Sequence, residues 1–304
     1  MNLEIHTGLG ARFKLQAKKA QTNEITRESA WSDNIVLDSG LARMSAGDWF
    51  DRCCVGAGNS VPNAGQVALD SFIASTTTKQ EASTFIEIAA KPYHYGVRIT
   101  WRFGIGVAAG NISELGIGWG NNNLWDRALV KDTSGNPTTI TVLSDEYLDV
   151  ISEIRVYPKD TISGTFNLLD KTGGIKSTHN FTGIPIITSA TVTATNLRLE
   201  RLVITNGSIQ SVNSPPSGSQ IAIIRNEGGA VLHSYPTQTS FEAVCKMGLG
   251  DGNGIHKSFW IGMFGPLVYG IGAYQFEITP PITKNNMQEM TYTVTGSWGR
   301  YEPA

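Results

Sequence analysis

Asp145, Glu146 and Asp149 are the tightest acidic group in the chain able to do acid/base chemistry. Glycan cleavage needs an acid and a base or nucleophile about 5–9.5 Å apart. On a strand, Asp145 and Asp149 share one face and Glu146 points to the other. The plainer reading of the group is a solvated strand face beside a turn. Asp48 and Asp51 flank Trp49-Phe50, an acid pair beside aromatic rings as sugar sites use, but Arg52 is an ordinary ion-pair partner next door. Trp119 and Trp125, with Asn121, Asn122 and Asn123 between them, offer ring faces and amides that could stack on a sugar and hydrogen-bond it. Tryptophans that bound a hairpin also serve as core anchors. This loop is the candidate binding site.

Metal and nucleophile chemistry find less support. His6, His94, His179, His233 and His256 are scattered, with no pair at the i,i+2 or i,i+4 spacing of metal ligands. In LGDGNGIH, residues 249–256, Asp251 and Asn253 stand two apart in a glycine-rich loop as in calcium loops, but no acidic residue follows to close a coordination sphere, so a tight turn is expected. Cys53, Cys54 and Cys245 cannot form an even disulfide framework and lack zinc-ligand spacing, which leaves them as buried free thiols. The sequence carries no G-x-S-x-G, H-E-x-x-H or P-loop motif. The expectation is a non-enzyme with no catalytic residue, metal or cofactor.

Arg12, Lys14, Lys18 and Lys19 cluster near the start and could meet phosphate. However, 24 basic against 26 acidic residues give a net charge of −2, with no global field to draw in nucleic acid. With Glu4, Glu24 and Glu28 close by, the cluster reads as an assembly arm docking on an acidic patch of a neighbouring subunit. The same basic start has neither an apolar core nor a cleavage site, so no secretory signal is expected. Phe259 to Tyr274 is apolar but too short for a transmembrane helix and broken by Gly262, Gly265, Pro266, Gly270 and Gly272; it reads as two buried strands joined by a turn at Gly265-Pro266.

The elements that must position these residues are strands. Glycine is 33 of 304 residues and only 16% are charged, which favours many turns and argues against extensive disorder. In YHYGVRITWRFGIGV, residues 93–107, Tyr95, Val97, Ile99, Trp101 and Phe103 recur at period two, a long strand with one buried face. The one helix expected lies in NIVLDSGLARM, residues 34–44, capped by Asp38 or Ser39, with Leu41 and Met44 inward. Strands are also read near 115–119, 128–130, 146–158, 190–205 and 291–298, with 221–225 turning at Glu227-Gly228-Gly229 into 230–234. The fold class is all-β: two antiparallel β-sandwich-like domains, jelly-roll or Ig-like, with one short helix. Residues 1–30 are expected as an N-terminal arm, 31–158 as the first sandwich and 159–304 as a second β-rich domain.

NIVLDSGLARM, DRCCVGAGN, AAGNISELGIGW, LWDRALVKDTSGNPTTITV and LDVISEIRVYP, in that order within residues 34–158, resemble proteins encoded in bacteriophage tail modules, and SWGRY at 297–301 extends the likeness. The resemblance implies a virion structural protein near the tail, made and assembled in the bacterial cytoplasm. Its partners would be copies of itself and other tail or neck proteins, with a surface offered to a host receptor or glycan. The alternatives are a glycan-binding or glycan-cleaving tail adhesin and a head decoration or collar protein.

Overall fold

The structure, a computed structural model, describes residues 2–188, 195–226, 230–264 and 274–302. Leu3, Ile5, Leu9, Ala11, Phe13, Leu15 and Ala17 are all buried while the residues between them are mostly polar or glycine, and this unbroken period of two makes β1 (Asn2–Lys19) an 18-residue strand. After β2 (Ile25–Glu28), β3 (Ser32–Asp33) and β4 (Ile35–Val36) comes helix α1 (Asp38–Ala46), which buries Leu41 and Met44. Its N-cap is Leu37, with no side-chain cap. The expected cap fails because Asp38 pairs with Arg300, and the Ser39 hydroxyl donates to the Leu124 carbonyl.

The first half continues with β5 (Arg52–Gly56), β6 (Phe72–Thr76), β7 (Lys79–Glu87), β8 (His94–Phe103), β9 (Gly110–Ile112), β10 (Glu114–Trp119), β11 (Asn123–Leu124), β12 (Asp126–Leu129), β13 (Ile140–Val142) and β14 (Glu146–Pro158). The second half holds β15 (Ile162–Leu169), β16 (Ile175–Pro185), β17 (Arg198–Thr205), β18 (Gln220–Arg225), β19 (Val231–Thr237), β20 (Ser240–Met247), β21 (Gly254–Phe264), β22 (Tyr274–Lys284) and β23 (Met290–Arg300).

A nine-stranded sheet runs in the order β19-β20-β23-β1-β14-β8-β7, with β2 and β3 also paired to β1. Two six-stranded sheets cover its apolar face, β4-β12-β10-β5-β6 with β11 beside β10, and β15-β16-β22-β21-β17-β18. The first meets it, with α1, through Trp49, Phe50 and Trp125, where the Phe50 and Trp101 rings stand edge to face with centroids 6.4 Å apart. The second meets it where Phe259 packs on Tyr292 at 5.4 Å. The architecture is all-β and of sandwich type, as expected, and no helix among the described residues is long and apolar enough to cross a membrane.

Three readings change. Residues 2–19 are not an arm, because β1 lies inside the large sheet, antiparallel to β14 over Thr7–Lys19 and parallel to β23 over Asn2–Leu9. The division after Pro158 does not separate two bodies, since β19, β20 and β23 return to the sheet of β1, β8 and β14, and one apolar core contains residues from both halves. β18 and β19 do not form a hairpin with each other; they pair with β17 and β20 in different sheets. The turns expected at Glu227-Gly228-Gly229 and Gly265-Pro266, and residues 190–194 of the strand expected over 190–205, lie outside the described residues.

On β8 the alternation holds, with Val97, Ile99, Trp101 and Phe103 fully buried and Arg98, Thr100 and Arg102 on the other face. The Trp101 indole N–H also donates to Ser152 Oγ at 2.9 Å. Trp101→Ala is expected to cost about 3–5 kcal/mol. Thr100→Ala, one residue along on the polar face, is expected to cost no more than about 0.5 kcal/mol. Urea titrations of the two variants check the difference.

Candidate functional site

The acidic group at the start of β14 is where sequence pattern and structure part most sharply. Asp145 is exposed, but Glu146, Asp149 and Glu153 are buried, each against cations. The register explains this: β1 and β8 flank β14, setting Arg12 and Arg98 opposite Glu153 and Arg102 opposite Asp149. Arg12 Nε reaches Glu153 at 3.0 Å, and Arg98 and Arg155 close on the same carboxylate at 2.6 and 2.5 Å. Arg102 clamps Asp149 with two hydrogen bonds of 2.7 Å, and Lys18 Nζ adds a third at 2.9 Å. Glu146 accepts from Arg27, from Thr26 Oγ1 at 2.7 Å and from the Leu143 N–H at 2.9 Å. The Trp31 ring lies 4.4 Å from the Arg12 guanidinium carbon and covers the cluster.

The four basic residues read as an assembly arm are therefore spent within the chain. Arg12 and Lys18 hold β14, Lys14 pairs with Glu28 at 2.6 Å, and Lys19 meets Glu24 at 3.7 Å. The acidic patch they were expected to find on a neighbour is their own β14. A second buried network sits on the smaller sheet, where Arg127, fully buried, meets Glu114 and Asp70, each at 2.8 Å. Glu114 also accepts from the N–H groups of Gly58, Asp70 and Ser71, which fastens the long loop between β5 and β6.

The Trp119–Trp125 loop divides. Trp125 is fully buried against Trp49, with its indole N–H directed at Met44 Sδ, so its ring faces no ligand. Trp119 remains half-buried with Arg43 above its ring at 5.5 Å, and Asn121, Asn122 and Asn123 stay at the surface, where Asn122 accepts the Leu69 N–H. Trp49 and Phe50 are core residues, and Asp51 chelates Arg52, so Asp48 and Asp51 flank no open ring. The 249–256 segment is the tight turn expected. Its would-be cation position is taken by the buried Lys284 ammonium, which donates to Gly248 O at 2.9 Å and Asn253 Oδ1 at 3.0 Å. Cys53, Cys54 and Cys245 are free and buried, and burial pushes the Cys54 and Cys245 thiols up to about 12, which keeps them unreactive.

A cleft of about 410 Å³ that the sequence did not signal opens on the polar face of the large sheet, near the β14 C-terminus. A glycine makes it possible. A Cβ on Gly8 would stand 3.1 Å from Tyr301 Cβ, so the bare backbone there lets Tyr301 lean over β1. Tyr157 and Tyr301 stack at 3.7 Å with an interplanar angle of 11°, and His94 continues the stack 5.0 Å from Tyr157. Tyr301 is fixed by its N–H donating to Leu9 O at 2.8 Å. His6, Pro92, Lys159, Asp160, Arg300 and Glu302 complete the walls.

The two halves of the electrostatics respond to pH with opposite sign. Burial alone raises the Glu153 carboxyl, but hydrogen bonds from Arg98, Arg12 and Arg155 overcome it and bring the group down to about 2. A depressed folded-state value contributes stability above the unfolded value of about 4.3 and loses it as pH falls. Asp126 is the reverse: burial pushes it up to about 8 against hydrogen bonds from the Ile117 N–H and Asn34, so its contribution is present at low pH and lost as pH rises through that value. Glu153→Gln is expected to cost about 1–3 kcal/mol at neutral pH, because the buried carboxylate's charge-assisted hydrogen bonds are lost while its three partly exposed guanidiniums stay hydrated. The gap from the wild type should narrow below about pH 4, as the native glutamate gains its own proton. Denaturant midpoints across that range check it.

Compared with protein-family models, curated proteins and solved structures, the chain matches none of them, and its residues alone carry the functional reading.

Proposed function

We propose that the chain is a non-enzymatic structural component of a bacteriophage tail, joined to copies of itself and to other tail or neck proteins, with loops free to face a host receptor. The observation that carries the reading is the free edge of the nine-stranded sheet. Among the described residues β7 pairs with β8 on one side only, and its nine residues, KQEASTFIE, are almost all exposed. Such an edge leaves a row of backbone donors and acceptors ready for another strand, and natural monomers usually blunt it with charged side chains, prolines, bulges, short strands or covering loops. β7 carries Lys79, Glu81, Glu87 and an irregularity between Lys79 and Glu81, but its stretch Ala82–Ile86 has neither charge nor proline and keeps a regular register with β8. The buried carboxylates support the same reading, because Glu146, Asp149 and Glu153 spend their hydrogen bonds on neighbouring strands and so stiffen the sheet. The tail-module resemblance of residues 34–158 supplies the setting.

Successive residues of a strand point their N–H groups to opposite sides, so of Ser83 and Thr84 one faces β8 and the other the open edge. Sedimentation of the wild-type chain is expected to show a discrete oligomer. Of the variants Ser83→Pro and Thr84→Pro, the one that spares the ladder to β8 should keep the wild-type Tm and lose association, while the other should lower Tm. A wild-type chain that stays monomeric at every concentration contradicts the proposal.

A further inference from the structure

We infer that His256, where β21 leaves the turn at 248–254, is an acid-sensitive latch: while its ring is neutral it holds that turn closed, and a second ring proton releases it. The turn joins β20 of the nine-stranded sheet to β21 of the sheet that covers it, so its state governs the seam between the two. His256 is fully buried, and both of its ring nitrogens are engaged. Nε2 lies 2.7 Å from the Gly252 carbonyl oxygen, which can only accept, so Nε2 carries the ring proton. Nδ1 is then the acceptor, and the Tyr292 hydroxyl of β23 donates to it at 2.9 Å.

A second proton has no place in this arrangement. On Nδ1 it would face the Tyr292 O–H, and that phenol, itself fully buried, would have to turn its hydrogen into apolar surroundings. A cation already stands beside the ring. The Lys284 ammonium of β22, also buried, donates to Gly248 O at 2.9 Å and Asn253 Oδ1 at 3.0 Å and so clasps the same turn. No carboxylate among the described residues balances it: Asp251, on the turn, stays exposed and accepts the Gly248 N–H at 3.1 Å, and Ala222 of β18, which packs under Gly252, is uncharged. Burial first, and the Lys284 charge after it, hold His256 below its ordinary value. Opening the turn returns the ring to water, where it titrates near its ordinary value of about 6.5. A group depressed in the closed state favours closure above that value and opposes it below. The opening constant therefore rises up to about tenfold for each pH unit below about 6.5, until the closed-state value is reached. The latch is separate from the β7 edge and does not depend on how the chain assembles.

The test is hydrogen–deuterium exchange on the full chain between about pH 7.5 and about pH 5, a range that brackets the ordinary histidine value, with rates corrected for their intrinsic pH dependence. Peptides covering 248–256 are compared with peptides covering Val97–Phe103 on β8. The wild-type turn is expected to lose protection by up to about tenfold per pH unit below about 6.5, while β8 keeps its own. His256→Gln retains an amide donor for Gly252 and cannot titrate, so its turn should be equally protected across the range. His233→Gln is the control. His233 Nε2 meets Leu199 O at 2.8 Å, but its ring is half-buried and a second proton there reaches water, so the acid response should remain. If His256→Gln does not fold, the wild-type ring reports directly: its ¹⁵N shifts should show the Nε2–H tautomer at the upper pH and an imidazolium only as the turn opens. Equal protection of the wild-type turn at both ends of the range, an acid response that persists in His256→Gln, a matching loss on β8, or a protonated ring in a closed turn would each overturn the inference.

Discussion

The fold depends on where its first strand goes. β1 enters the large sheet between β14, which it meets antiparallel, and β23, which it meets parallel, and so ties the start of the chain to its middle and to its end. A strand flanked on both sides has its backbone groups paired along most of its length, and that ladder forms only after contacts more than a hundred residues apart in sequence have closed. Everything on the polar face follows from this placement. Arg12 and Lys18 reach Glu153 and Asp149 only because β1 is in register with β14, and Tyr301 reaches Tyr157 to stack on it only because the strand between them carries Gly8 there.

The electrostatics are arranged around the same insertion. A carboxylate removed from water is costly unless charged hydrogen-bond donors meet it, and β14 would carry two such groups toward its outer face without β1 and β8. Three guanidiniums on Glu153, and a bidentate arginine plus a lysine on Asp149, make the cluster specific to one register, since a slip by one residue would turn every charge to the apolar side. The Arg127–Glu114–Asp70 network does a different job, fixing a loop rich in turn-forming residues to the smaller sheet.

What the sequence disclosed, and what it hid, follows from distance along the chain. The burial of Trp101 and Phe103 was legible because alternation on β8 is a local pattern, and the helix at 38–46 was legible through the spacing of Leu41 and Met44. β1 carried the same alternation from Leu3 to Ala17, but its basic residues drew attention to an outside partner. The partner, β14, lies some 130 residues further on, and nothing local in the sequence announces it. Glu146 and Asp149 read as a solvated face for the same reason. Trp125 and Trp119 looked alike in sequence, and only the packing of Trp125 on Trp49 sends one ring inward. The cleft was invisible because Gly8, Tyr157 and Tyr301 come from three distant stretches that meet through sheet pairing alone.

Native-state hydrogen exchange on peptides covering Leu9–Ala17 distinguishes an interior strand at β1 from an arm. Phe13 and Leu15 are expected to be protected as strongly as Val150 and Ile154 on β14, with both segments opening only in global unfolding. Exchange of the Leu9–Ala17 amides at the rate of an unstructured chain, while β14 stays protected, would contradict it.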